Sequence, residues 1–511
     1  MRKIAFAAAG VLLSVGLLSP TQALAIDQVN TEKLRKAVTV NGILQHERAF
    51  QRIANDNDGT RASGTSGYDA SADYVVRKLR QAGYKVRKQE FTFPFFRELA
   101  PAELSEVTPQ PRNFETATFT YSGDGEVTGQ LVPIDVQIPP ADEPSSTSGC
   151  ESGDFPAAPS GPAVALIQRG TCTFEEKVVN AREAGYDAVI IFNEGQQGRT
   201  ELLTGTLGSP QSTPTVGASF ADGAALYTAA QGGPVTVRVF TSTENDPDRK
   251  TVNVIADSPL GKIRGEGQTI VVGAHLDSVP AGPGINDNGS GSATILEIAE
   301  QLAALKYTNR LQRQVRFAFW GAEEPGLYGS EYYVANLTDG QQAKIYANLN
   351  FDMLGSPNYV RFVYDGDGSL DPDLAGPPGS GAIEEIFTKY FADKGLASEP
   401  TEFDGRSDYG PFIAAGIPAG GLFSGAEGIK TPAQAEDYGG TAGVAYDSCY
   451  HQACDDITNL SSQALFELGD AAAHATLTLA LSKTGLQPDG SRQAQVKVTG
   501  TAAKGNFGLV S

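Results

Sequence analysis

The chain has 511 residues, a formal net charge of −21 at pH 7 and four cysteines. A chain this acidic repels phosphate groups, which argues against nucleic acid and anionic membrane surfaces as partners. Its length exceeds what one hydrophobic core usually organises, so two domains are expected.

Arg2 and Lys3, the apolar run Ile4–Leu18 and the small-residue site Ala23-Leu24-Ala25 read as a signal peptide over residues 1–25. No later segment has the length of a membrane helix, and no Cys stands at the cleavage site to take a lipid. A secreted protein with no membrane partner is expected. Asp69–Gly83 has helical spacing of Ala, Tyr, Val and Leu, and Tyr84–Phe93 alternates as a strand. From about Pro101 to Pro162 the chain is rich in Pro, Ser, Gly and Thr, which predicts an irregular insertion or domain boundary. Then come a strand over Ala163–Gln168, a turn at Gly170 and Cys172, a helix over Phe174–Ala184 and a strand over Ala188–Phe192. Beyond Asp248, Thr269–Ala274, Val315–Trp320 and Ala347–Phe351 are apolar runs of buried-strand length, and Ala293–Leu305 is an amphipathic helix. Such alternation predicts an α/β domain whose mainly parallel, mixed sheet is flanked by helices. From Leu486 the chain is polar and aperiodic and reads as a tail.

An even cysteine count in an exported chain permits two disulfides. Proximity suggests Cys150 with Cys172 and Cys449 with Cys454.

Five short segments supply metal-ligand residues: GAHLDS, INDNGSG, WGAEE, NFDML and CYHQAC. They contain His275, Asp287, Glu323, Glu324, Asp352 and His451. Imidazole together with carboxylate is the donor set of zinc. In an open parallel sheet, ligands bind beyond the carboxyl ends of the strands, where three of these segments begin. The other two histidines, His46 and His474, lie outside the segments and read as structural.

In this order, the five segments resemble the secreted bacterial zinc aminopeptidases with a co-catalytic metal pair. Asp58-Gly59-Thr60-Arg61, Gly67-Tyr68-Asp69 and FDGRSDYGPF (Phe403–Phe412) extend the likeness, which covers about residues 35–110 and 245–485. Separately, Gln168–Glu194 resembles the protease-associated (PA) domain. The resemblance implies a zinc-peptidase (phosphorylase/hydrolase-like) fold with an inserted small, β-rich α+β PA domain. It divides the chain into peptidase segments 26–110 and 245–485, the insert 111–244 and a tail 486–511. It assigns His275 and Asp352 to one zinc, Glu324 and His451 to a second, and Asp287 as the bridge. By the same likeness Glu323 is the general base, Asp277 orients the imidazole of His275, and Tyr450 donates to the oxyanion. Arg406 lies near bound substrate, and the peptide bond Asp287–Asn288 is cis. The implied substrates are peptides with a free amino terminus, and a monomer is expected; a calcium site is left open. The alternatives are a carboxypeptidase of the same superfamily, a glutaminyl-cyclase-like transferase and a catalytically dead binding protein with a PA domain.

Overall fold

A computed structural model describes residues 28–259 and 267–486. The expected signal peptide and all of the expected tail except Leu486 lie outside the described residues. Among the described residues no helix is long and apolar enough to cross a membrane.

The strands Thr269–His275, Gln314–Trp320 and Ile345–Asp352 are nearly or fully buried, as their apolar sequences require. They lie side by side and parallel, with Ala419–Phe423 beyond Ile345–Asp352 and the end of Thr236–Asp257 antiparallel to Gln314–Trp320. Helices cover both faces. On one face the helices Val40–Asn55, Ser66–Gln81, Gly291–Ala304 and Ser462–Leu481 contribute to the largest apolar cluster, which includes Phe50, Val75, Leu296, Phe317 and Leu468. On the other, Trp320, Tyr333 and Phe412 form a smaller cluster. Each such side chain contributes about 1.5–3 kcal/mol when fully buried.

The expected irregular region from Pro101 to Pro162 is corrected by the structure. The strand begun at Lys85 runs to Thr108, and Gly125–Ile134 forms another strand inside the region. Lys85–Thr108 pairs antiparallel with Thr236–Asp257 along almost its whole length, with register shifts that include one beside Pro94. Proline can be carried there because such irregularities release a ladder hydrogen bond. In the insert, Ala163–Gln168, Ala188–Phe192 and Thr215–Ala218 are parallel, with the helices Phe174–Glu183 and Phe220–Gly232 among them. Because Thr236–Asp257 pairs with Gly125–Ile134 at one end and with Gln314–Trp320 at the other, one mixed sheet passes through both parts.

His474 lies on the helix Ser462–Leu481, its Nδ1 2.8 Å from Thr31 Oγ1 and its ring stacked on Tyr390. Burial, with Arg35 nearby, lowers its pKa from 6.5 to about 4, against the opposing influence of Asp470 and Asp393. The folded protein therefore binds this proton less readily than the unfolded chain, so the contribution is complete above pH 6.5 and is lost as pH falls to about 4. It amounts to at most about 3 kcal/mol. Thermal unfolding should show a smaller decline over this window in His474→Gln than in the parent; equal declines would rule the histidine out.

Candidate metal centre

Trp320 pairs in register with His275, so these adjacent strands end level, and the strand ending at Asp352 flanks them. Glu323 and Glu324 follow across Gly321 and Ala322. Asp287 arrives on the turn Ile285–Ser290, and His451 on the loop closed by the Cys449–Cys454 disulfide. Gly291 opens the next helix with no room for a side chain, since a Cβ would stand 2.2 Å from the Phe351 carbonyl oxygen. That contact seats the Asp287 turn against the strand that ends in Asp352. Ala322, Met353 and His451 all have positive φ. Left-handed backbone at non-glycine residues is uncommon, and here it occurs before Glu323, after Asp352 and at His451 itself.

Asp287 stands between two imidazoles. Its Oδ1 is 3.2 Å from His275 Nε2 and its Oδ2 is 3.2 Å from His451 Nε2. His275 Nε2 is also 3.2 Å from Asp352 Oδ1, and His451 Nε2 is 3.1 Å from Glu324 Oε2. Two donor groups result, His275–Asp287–Asp352 and Asp287–Glu324–His451, sharing Asp287. The spacings exceed the roughly 2.7–2.9 Å of charge-assisted hydrogen bonds. They approach the donor separation of about 3.3 Å in a tetrahedral zinc site with bonds of about 2.0–2.1 Å. Glu324 Oε1 is buried without a hydrogen-bond partner, which leaves a lone pair for a cation. The residues present fit a pair of metal ions.

The electrostatics agree. Burial disfavours a charged His451, yet Glu324 and Asp287 push its pKa up to about 11. Burial opposes ionisation of Asp287 too, but the two imidazoles hold its carboxyl below the usual range. Burial raises Glu324 to about 7, with Asp287 adding to the shift. For Tyr450, burial and then Asp287, Glu324 and Glu323 push the phenol up, so it keeps its proton and can donate.

The structure brings the other expected residues to different distances. Tyr450 stacks on His451 with ring centroids 3.8 Å apart. The Asp277 carboxylate is 3.7 Å from His275 Nδ1, while its main-chain carbonyl is nearer at 3.2 Å. That carboxylate accepts from the Glu323 N–H at 3.3 Å. Asp277 thus meets His275 first through its backbone, and its side chain reaches the Glu323 turn. Arg406 is exposed, its N–H donating to Asp404 at 3.0 Å. The peptide bond Asp287–Asn288 is cis. The second disulfide, Cys150–Cys172, lies in the insert. A further acidic group, Asp365, Asp367 and Glu384, has oxygens engaged by the N–H groups of Gly366, Asp367, Ser369 and Leu370.

Sequence reasoning missed several residues at the site, Ser407 and Arg61 among them. Ser407 Oγ donates to Asp352 Oδ2 at 2.5 Å and accepts from Asn350 Nδ2 at 2.9 Å. Arg61, fully buried, donates to the carbonyls of Leu276, Pro283 and Gly284 and so holds the loop between His275 and Asp287. Both lie inside quoted motifs, but no spacing distinguishes such contacts from surface ones.

A mixed sheet that converges two imidazoles and several carboxylates on one edge defines a metal-dependent hydrolase. The sequence matches Peptidase family M28 over residues 253–476 and the PA domain over residues 127–226. It is 46% identical over 456 residues to an aminopeptidase of Pseudomonas aeruginosa, covering 88% of this chain and 82% of that one. It is 42% identical over 450 residues to a probable lipoprotein aminopeptidase, LpqL, of Mycobacterium tuberculosis, covering 86% and 85%. Among solved structures, the aminopeptidase from Aneurinibacillus sp. strain AM-1 superposes with a TM-score of 0.66 at 25% identity, over 89% of this chain and 97% of that one. The chain belongs to Peptidase family M28, carries an inserted PA domain, and is a metallo-aminopeptidase.

The Cys449–Cys454 ring is short, so its effect through the unfolded chain is at the low end of the usual ~2–4 kcal/mol. Its larger effect is to place Tyr450 and His451. Replacing both cysteines by serine should lower kcat/KM at least tenfold and shift the melting temperature only a few degrees; unchanged kinetics would show that the loop holds its place without the bond.

Proposed function

We propose that the protein is a secreted, zinc-dependent aminopeptidase that releases single residues from peptides with a free amino terminus. The observation that carries this reading is Asp287 between the two imidazoles, with Glu323 beside them. His275 and Asp352 would hold one zinc, Glu324 and His451 the other, and Asp287 would bridge. When bound, such a pair lowers the pKa of water and polarises the scissile carbonyl. Glu323 Oε2 lies 3.8 Å from His275 Nε2, at the edge of the donor set rather than within it, as suits a general base. It takes a proton from the attacking water and returns it to the leaving amine. Tyr450, kept protonated, donates to the carbonyl oxygen as charge grows there. Asp277 steadies both His275 and the Glu323 turn, and Arg406 would lie near bound substrate.

Export is supported by the two disulfides, which persist in oxidising compartments, and by the signal-like leader. The M. tuberculosis relative is called a lipoprotein; here all four cysteines are paired, so none of them is available to carry a lipid. We further propose peptidase segments 26–110 and 245–485, with the insert 111–244 shaping access to the site. The enzyme would act as a monomer.

The purified enzyme should contain about two zinc ions per chain, lose activity to a chelator and regain it with zinc. Glu323→Ala should keep its metal and lose turnover by orders of magnitude, because a base is removed and not a ligand. Metal loss in Glu323→Ala with retention in Glu324→Ala would mean that the two roles are exchanged.

The acidic cluster around Glu323 and Asp352 can bind an α-ammonium beside the scissile bond. Acetylation removes that charge and its donors and adds bulk, whereas amidation alters only the far end. One peptide, incubated free, acetylated and amidated and followed by mass spectrometry, should be trimmed only when its amino terminus is free. Cleavage of the acetylated form would falsify the reading.

A further inference from the structure

The donor residues differ in how their backbone is held. His275 and Asp352 end adjacent strands and are fixed by the sheet. Asp287 and His451 sit on irregular segments 164 positions apart by sequence numbering, and something must set their separation. Three buried residues that flank the disulfide loop do so. Asp455 accepts from the N–H of Asn286 at 2.8 Å with Oδ1 and from the N–H of Asp287 at 2.9 Å with Oδ2. Its own carbonyl accepts from the Ile285 N–H at 3.0 Å. At the other end of the loop, Asp447 accepts from Asn286 Nδ2 at 2.6 Å and from the Cys449 N–H at 2.8 Å. Asn459 Nδ2 joins the two carboxylates, 3.0 Å from Asp447 Oδ1 and 3.1 Å from Asp455 Oδ1. Close packing completes the clamp: a Cβ on Gly282 would meet the Gln452 carbonyl oxygen at 2.4 Å.

We propose that Asp447, Asn459 and Asp455 are positioning residues that lock the bridging carboxylate of Asp287 to the loop bearing His451, and so set the affinity of the Glu324–His451 metal position in particular. This rests on the reading of Asp287, Glu324 and His451 as ligands. A carboxylate suits the task. It offers one oxygen to each of two consecutive backbone donors, the N–H groups of Asn286 and Asp287. An amide in its place turns one acceptor into a donor that faces another N–H. Loosening the clamp moves Asp287 relative to His451, while His275 and Asp352 keep their sheet-bound positions, so the loss falls unequally on the two metals.

The test is a zinc titration of metal-free protein by calorimetry, on the parent, Asp455→Asn and His451→Ala, with thermal melts of the metal-free forms and steady-state kinetics alongside. For Asp455→Asn we expect one of two binding steps to weaken by about tenfold or more, the usual effect of altering groups that orient ligands. The other step should stay unchanged, kcat should fall with KM little altered, and the metal-free melting temperature should drop by only a few degrees, the cost of one buried N–H left without its acceptor. His451→Ala should lose the same step. Two steps in the parent that persist unchanged in Asp455→Asn would overturn this proposal alone. Equal weakening of both steps would overturn it too, by showing a contribution to folding only. A single step in the parent, or two in His451→Ala, would overturn the ligand reading and this proposal with it. Should Asp455→Asn not fold, Asn459→Ala removes the link and leaves both carboxylates; it must show the same unequal loss, and even weakening there overturns the proposal.

Discussion

Like charge held in a dry place is the constraint on which the rest of this structure turns. Asp277, Asp287, Glu323, Glu324, Asp352 and Asp408 converge at the ends of three strands, and all are buried or nearly so. An ionised carboxylate taken out of water costs several kcal/mol unless it is paired. Two imidazoles offset part of that, and their raised pKa values show how strongly the carboxylates call for positive charge. Burial carries Asp408 up to about 8, so one group can relieve the crowd by keeping a proton. What remains is satisfied by cations, and a site of this composition is stable only where the scaffold resists its own repulsion.

The scaffold resists by fixing backbone. INDNGS shows how residue by residue. Asn286, Asn288 and Ser290 send their side chains to the main chain of the Asp352 segment, at Gly355, Phe351, Met353 and Leu354, while Asp287 faces the histidines. A segment that reads from sequence as a Gly-containing turn is thus a set of crosslinks with one carboxylate presented to the site. Each such bond contributes only about 0.5–1.5 kcal/mol, but removing one partner leaves a buried group unmade and costs more.

The same distinction decides what sequence could reveal. That His275, Asp287, Glu323, Glu324, Asp352 and His451 come together was legible, because the donor types that metal chemistry demands stand out in a sequence and because strand ends can be located from apolar runs. Ser407, Arg61 and Asp455 were not. Their partners are backbone or side-chain atoms of distant segments, and a contact to a carbonyl leaves no pattern in the residue that makes it. The strand ending at Thr108 was lost for a related reason. Pro101 and the polar composition beyond it argue against a strand, and the pairing that overrides them lies with Val237 and Val239, more than a hundred residues on. The helix Ser66–Gln81, by contrast, carries its instructions locally, in its apolar spacing and in Thr65, whose side chain accepts from the Tyr68 N–H.

The paired strands Lys85–Thr108 and Thr236–Asp257 do more than attach the insert. Phe91, Phe93 and Phe95 on the first of them cluster with Ala322, the residue before Glu323, and Tyr328 closes over them. The Ala322 N–H donates to Ser63 Oγ at 2.7 Å, beside the Arg61 that holds the His275–Asp287 loop. From the insert, Tyr121 reaches the Pro94 carbonyl at 3.1 Å and packs edge-on against Phe96. Aromatic pairs of this kind are worth about 0.5–1.5 kcal/mol each beyond the area they bury. The turn that presents Glu323 is therefore buttressed by the strand from which the insert grows. Where an ordinary linker would let two domains move independently, a hydrogen-bonded ribbon ties the orientation of the insert to the backbone of the residue proposed to move the proton.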